Sequence, residues 1–418
     1  MICLEPSISV VENTQIRLEP ASTRLRQPQV RLASLDAYRG FVMLLMLAEV
    51  LRLRAVSEAL PESRLWAFLA GQQSHSGWVG CTLHDLIQPS FSFLVGAALP
   101  FSIASRRARG QSFARMSLHA WWRALVLIAI GVFLGSLQAS QTVWSFHDTL
   151  SQIGLGYGLL FILGFRPARD QWIALGVILV GYFSAFALYP LPGPGCDYAK
   201  LGVSTEWVRE HGLTGFAAHW QKSSNFAWAF DTWFLNLFPR AHPFLSDAGG
   251  YHTLNFIPTL GTMILGLLAG GVLRSKRTNG ARVRWFVTAG IVALAAGWLL
   301  GALGICPVVK RIWTPSWVLF SGGWCFLFLA AFYGVIDVWQ KRGWLFPLIV
   351  IGMNSIAAYC ISFLFGPFVA KNLKTHLGQN FFQFAGTTYE PFFLGAAILM
   401  MYWLILFWLY RRKVFLRI

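Results

Sequence analysis

The sequence predicts an all-α polytopic membrane protein, with about ten transmembrane helices in one bundle and both termini inside. Three observations carry that expectation. Hydrophobic residues make up 56% of the 418 and charged residues 12%, about half the ~25% of an ordinary soluble domain, which is too little charge to cover a water-soluble surface. Apolar runs of about 20 residues, the length that crosses ~30 Å of hydrocarbon, recur along the chain. Lys and Arg exceed Asp and Glu by 17 and gather in short clusters between alternate runs, as cytoplasmic connections do.

Taken in order, residues 1–34 contain Glu5, Glu12, Arg17 and Arg24 without a signal peptide's apolar core, and are expected to form a cytoplasmic tail ahead of a transmembrane domain over 35–418. The first span is expected at 38–56, although Arg39, Glu49 and Arg52 interrupt it. The second, 83–104, contains Pro89 and Pro100 and is followed by Arg106, Arg107, Arg109 and Arg115. Spans at 119–138 and 148–165 come next, the latter opening on Gln152 and followed by Arg166 and Arg169. After a span at 170–190, a long connection over 191–250 begins with Pro192-Gly193-Pro194-Gly195 and carries Trp207, Trp220, Trp228 and Trp233. These tryptophans suit either an interfacial aromatic belt or stacking platforms for a sugar. The sixth span, 253–273, contains Asn255 and Thr259 and leads into Arg274, Lys276, Arg277, Arg282 and Arg284. A span at 285–304 is joined through a short connection containing Lys310 and Arg311 to one at 316–337, and Lys341 and Arg342 follow. The ninth, 344–367, holds Asn354 and Ser355, and the tenth, 391–410, runs into Arg411, Arg412, Lys413 and Arg417. All the large basic clusters fall on one side when both termini are inside.

Several function classes lose support at this stage. The basic excess is spread between apolar runs and so speaks for lipid headgroups rather than nucleic acid. The six cysteines form no CxxC pair, and neither a metal site nor a redox motif is expected; Cys196 and Cys306 fall in connections on one side, with nothing further to pair them. There is no GxxxxGK[ST] phosphate loop, HExxH or GxSxG motif.

An ionisable or amide side chain is costly in hydrocarbon, so each one is a functional candidate. The densest set runs from His75 through Trp78, Gly80, Thr82, His84 and Asp85 to Gln88-Pro89. With a helix starting near Gly80, Asp85 lies inside the second span and His75 in the loop above, where an imidazole beside a partly dehydrated acid can exchange a proton near neutral pH. His84 is expected to pack. Gln152, Asn255, Asn354 and Ser355 suit either interhelical hydrogen bonds or ligand contacts, and Lys310 with Arg311 suits either an anion or ordinary surface placement.

The segment Ser34-Leu-Asp36-Ala-Tyr-Arg39-Gly40, the block His75-x-x-Trp78-x-Gly80-x-Thr82-x-x-Asp85-Leu86-x-x-Pro89-x-Phe91, and Pro192-x-Pro194-Gly195-Cys196 resemble the heparan-α-glucosaminide N-acetyltransferase family with its bacterial relatives. So do Pro307-Val-x-Lys310-x-x-Trp313, Gly352-Met-Asn354-Ser355 with Tyr359, and Tyr410-Arg-Arg-Lys413-x-Phe415, so the resemblance covers roughly 31–418. It implies a membrane acyltransferase that takes acetyl from cytosolic acetyl-CoA and places it on an amino-sugar or glycan acceptor across the membrane. His75 becomes the general base or transient acetyl carrier, Asp85 its tuning partner, and Asn354 a donor to the carbonyl or pantetheine amides. Trp78, Gln152, Asn255, Lys310 and Ser355 become candidates for holding acetyl-CoA. The chain departs from the family at Gln152, where an Arg is expected, and at His252-Thr253-Leu254-Asn255, where Asp-Pro-Glu-Gly is expected. A homodimer in a bacterial inner membrane is the implied setting, and a permease for N-acetylated sugars is the rival reading.

Overall fold

The computed structural model describes residues 32–193 and 196–416. The expected tail over 1–34 therefore lies almost wholly outside the described residues, as do Pro194, Gly195 and Arg417, while Ala33 and Ser34 already belong to the first helix. The described residues form helices and connections and no strand.

The principal helices are α1 (Ala33–Leu47), α2 (Ile87–Ala108), α3 (Phe113–Gly135), α4 (Thr149–Leu163), α5 (Ala168–Ala187), α6 (Phe256–Arg274), α7 (Asn279–Ala302), α8 (Pro315–Tyr333), α9 (Phe346–Met353), α10 (Ser355–Leu364) and α11 (Glu390–Arg411). Each of the ten expected segments is thus helical, but ten spans are not reached by length. Among the described residues seven helices are long and apolar enough to cross a membrane, or eight if α9 and α10, bent by 81°, count as one broken span. The remaining two, α1 and α4, have 15 residues each, about 22 Å at ~1.5 Å per residue.

The first segment ends early for a visible reason. After Leu47 the chain tightens into a 3₁₀ turn over Ala48–Leu51, and Arg52 adopts a left-handed conformation at φ 48°. The charged Glu49 and Arg52 sit where a longer helix would bury them, and α11 occupies the space, since a Cβ on Gly395 would fall on the Val50 carbonyl.

Small residues set the helix pairing, as they do where lipid offers no hydrophobic gain from helix association. Gly96 of α2 meets Met263 and Leu267 of α6, while Gly266 meets Phe93 and Ala97, so the two helices run parallel in close contact. Antiparallel pairs form between α3 and α4 at Gly131 and Gly154, and between α7 and α8 at Gly290 and Gly297. Gly40 faces Leu348 and Gly352 faces Asp36, so α9 runs against α1 before the chain turns at Asn354 into α10. The ninth segment is therefore not a straight crossing.

The bundle has two chemically distinct ends. Arg106 and Arg107 lie in the last turn of α2, and Arg274 of the parallel α6 donates to the Pro100 carbonyl at 2.9 Å. The N-terminus of α2 is about 33 Å away for 22 residues, and there the connection over 191–250 folds back as short helices, including Thr205–His211 and Phe226–Phe234. Trp220 of that connection is 0% exposed, in a cluster with Trp78, Phe186, Val309 and Ile312, which removes it as a stacking platform. Trp207 packs edge-on against Trp78, and Trp233 is 61% exposed. Cys196 and Cys306 are free thiols, and Cys306 is buried beside Ser316.

Candidate active site

The loop between Gln72 and α2 closes on Asp85. Helix begins at His84, later than a start near Gly80 would place it, so Asp85 sits in the first turn instead of deeper in the span. Thr82 and Asp85 form a reciprocal cap: the Thr82 N–H donates to Asp85 Oδ2 at 3.1 Å, and the Asp85 N–H to Thr82 Oγ1 at 3.3 Å. A helix N-terminus also favours negative charge. Asp85 Oδ2 accepts from the Ser76 N–H at 3.1 Å, and Thr82 Oγ1 donates to the Ser74 carbonyl at 2.7 Å. The carboxylate thereby fixes the backbone on both sides of His75.

The other oxygen faces the imidazole. His75 Nδ1 lies 2.8 Å from Asp85 Oδ1, and Lys310 Nζ lies 3.3 Å from the same oxygen and 3.1 Å from Nδ1. An ammonium has no acceptor capacity, so Nδ1–H and Lys310 are two donors converging on one carboxylate oxygen. That arrangement places the His75 proton on Nδ1 and leaves the Nε2 lone pair outward; no hydrogen bond engages Nε2 among the described residues. The Asp85 side chain is 1% exposed and Lys310 5%, whereas His75 is 38% exposed. Burial lowers the His75 pKa below the ordinary histidine value, Asp85 opposes the shift, and the Lys310 charge reinforces it. The Lys310 pKa is lowered too, by burial first, with Asp85 acting against it. At neutral pH the ring is neutral with an open, basic nitrogen.

Lys310 reaches the ring because its own loop is pinned. The Gly80 N–H donates to the Val308 carbonyl at 3.0 Å, Arg311 donates to the Ser76 and Gly249 carbonyls at 3.3 and 2.7 Å, and Asn255 Nδ2 donates to the Arg311 carbonyl at 2.8 Å. The Arg311 guanidinium lies 5.6 Å from the centre of the Tyr251 ring. His84 does more than pack: its ring is 4.6 Å from that of His75, and Nε2 lies 3.3 Å from Glu49 Oε1. Glu49, which in sequence is only a charge interrupting the first apolar run, thus reaches the edge of the site.

The other expected site residues are placed differently. The Trp78 ring is 1% exposed and its Nε1 donates to the Trp220 carbonyl, so it supports the loop from beneath. Gln152 Nε2 donates to the Phe146 and Thr253 carbonyls at 2.6 and 3.2 Å, holding the start of α4 to that of α6. Asn354 is not brought to His75: its amide donates to the Val414 carbonyl and accepts from the Leu416 N–H at 2.9 and 3.1 Å, tying the tail after α11 to the 81° break. Ser355 is the first residue of α10 beyond that break. A second histidine–carboxylate pair, His252 Nδ1 with Asp231 Oδ2 at 3.2 Å, was not foreseen. Both side chains are 1% exposed, so it lacks the accessible nitrogen that His75 offers.

No family model matches the chain. The chain is 27% identical to human heparan-alpha-glucosaminide N-acetyltransferase over 96% of its own length and 62% of the relative's, and 25% identical to the mouse enzyme of that name over 79% and 53%. It thus spans about three fifths, or less, of the length of the curated relatives it matches.

Proposed function

We propose that this protein is a transmembrane acetyltransferase that moves an acetyl group from acetyl-CoA to the amine or hydroxyl of an amino-sugar or glycan acceptor, with His75 as the reacting base. The observation that carries the reading is the His75–Asp85–Lys310 arrangement, in which every polar atom but Nε2 is engaged. The names of the relatives supply the reaction class.

A thioester carbonyl is already electrophilic, so the protein must position it and manage one proton. In the direct route the acceptor amine attacks the acetyl carbon while Nε2 takes the amine proton; the C–S bond breaks, and the imidazolium returns the proton to the CoA thiolate. In the two-step route Nε2 attacks the carbonyl itself and the thiolate leaves; the amine then takes the acetyl group from the ring, which departs as neutral imidazole, and the amine proton ends on the CoA thiolate. Both routes need Nδ1–H held by Asp85, whose charge stabilises the cationic ring. Burial, reinforced by the Lys310 charge, favours the neutral resting ring.

Orientation belongs to this proposal as well: the arginine-rich end lies in the cytoplasm and His75 on the far side of a bacterial inner membrane. Acetyl-CoA then enters from the basic end and the acceptor from the other, and α1 and α4 complete the expected ten spans. A homodimer rests on the resemblance alone. The 81° break favours the rival permease reading, since transporters place their sites at discontinuous helices. The Asn354 amide at that break is, however, bonded to the tail backbone.

The test is release of CoA from labelled acetyl-CoA by purified protein with a panel of amino sugars. The expected result is acceptor-dependent release that falls by at least ~10²-fold in His75→Ala, the usual contribution of a positioned base. Uptake of N-acetylated sugar into vesicles without CoA release would replace this reading by the permease.

A further inference from the structure

A cavity of about 390 Å³ adjoins the His75 loop, outside the reacting groups. One wall is Val79, Gly80 and Cys81, the stretch of loop between His75 and Asp85, and another includes Val308, two residues before Lys310. The Gly80–Val308 hydrogen bond joins these walls, so the backbone that shapes the cavity is the backbone that holds the site. Ala302 at the end of α7, Phe320 of α8 and Leu213 of the long connection belong to the same lining. Among the described residues no charged or amide side chain lines this space. A sugar would leave its hydroxyls unpaired there, whereas an alkyl chain fits. The cavity sits on a peripheral helix: only 22% of the apolar window of α7 is buried, and Trp298 on its rim is 59% exposed.

We propose that this cavity receives the alkyl chain of the acceptor, so that the substrate class is an amino sugar carried on a membrane lipid, with its sugar at His75 and its chain between α7 and α8. The inference rests on the acetyl-transfer reading and names that site's substrate class. Distance permits it, since Val79 lies four residues from His75 and Val308 two from Lys310, at most ~14 Å and ~7 Å of chain, the span of a sugar or two. Moving a chain from bilayer to apolar cavity gains little energy because both surroundings are hydrocarbon. The cavity therefore acts by register, holding the amine near Nε2 and converting a collision into a positioned reaction.

The experiment uses full-length protein in phosphatidylcholine nanodiscs, labelled acetyl-CoA, and methyl or dodecyl glucosaminide, the dodecyl probe also carrying a terminal diazirine. The expected kcat/KM for the dodecyl acceptor exceeds that for the methyl one by about tenfold or more, and Ala302→Phe, which fills the cavity, brings the ratio within about threefold. Photolabelling of the native protein, which needs no variant, is expected within 79–81 and 298–308. An unchanged ratio in Ala302→Phe, or labels scattered over lipid-facing helices or concentrated between two copies, overturns the inference. If neither acceptor releases CoA the acetyl-transfer reading fails, and the position of the photolabel then decides the cavity's occupant alone.

Discussion

His75 differs from the other histidines in what surrounds each ring nitrogen. Nδ1 meets a carboxylate and an ammonium, while no hydrogen bond among the described residues engages Nε2 of this partly exposed side chain. Because Lys310 pushes the His75 pKa down, Lys310→Met is expected to raise it, moving the rising limb of kcat/KM against pH to more alkaline values. A pH–rate series on both proteins checks this; a limb that stays put would show that Lys310 does not act on the ring. Asp85→Asn removes the charge that raises the pKa and the acceptor that fixes the tautomer, so it belongs in the same series as the variant that loses rate as well as shifting. His75, Asp85 and Lys310 were each legible as polar residues out of place in an apolar chain. Their union was not, because His75 and Lys310 are 235 residues apart and meet through loops that no local pattern brings together. Asn354 was equally conspicuous, yet its amide is taken by backbone 60 and 62 residues downstream.

Helix identity was readable because apolar runs and basic clusters alternate; helix ends and bends were not. Glu49 and Arg52 end α1, the Thr82–Asp85 cap delays the start of α2, and the 81° turn at Asn354 depends on contacts with α1 and the tail. The cap has a local signature in Thr82-x-x-Asp85, a spacing that starts helices, but the same two residues also belong to the His75 block, so spacing alone does not fix where the helix begins. Glycine pairing makes a prediction at this scale. Gly266→Leu would drive a side chain into the Phe93 carbonyl, while nothing lies within 4 Å of a Cβ on Gly271. The first variant is expected to lose several degrees of Tm in detergent, a cost of about 1–3 kcal/mol for overpacking, and Gly271→Leu close to none. Equal melting of the two would remove the close α2–α6 approach from the account.

Across the whole molecule, an arginine-rich end and a tryptophan-rich end carrying His75 lie about 33 Å apart along the 22 residues of α2, which is what a transfer across a bilayer requires. With Cys81 and Cys196 replaced by Ser, a membrane-impermeant thiol reagent applied to intact cells is expected to label Gln379→Cys, in the exposed connection between α10 and α11, and to spare Arg109→Cys after α2. The reverse pattern would invert the orientation. Imidazole rescue tests whether the His75 ring is the reacting group. In His75→Ala the vacated, solvent-facing position is expected to admit free imidazole and regain CoA release in proportion to its concentration. Activity of His75→Ala within threefold of the native protein, with no added imidazole, would contradict the account.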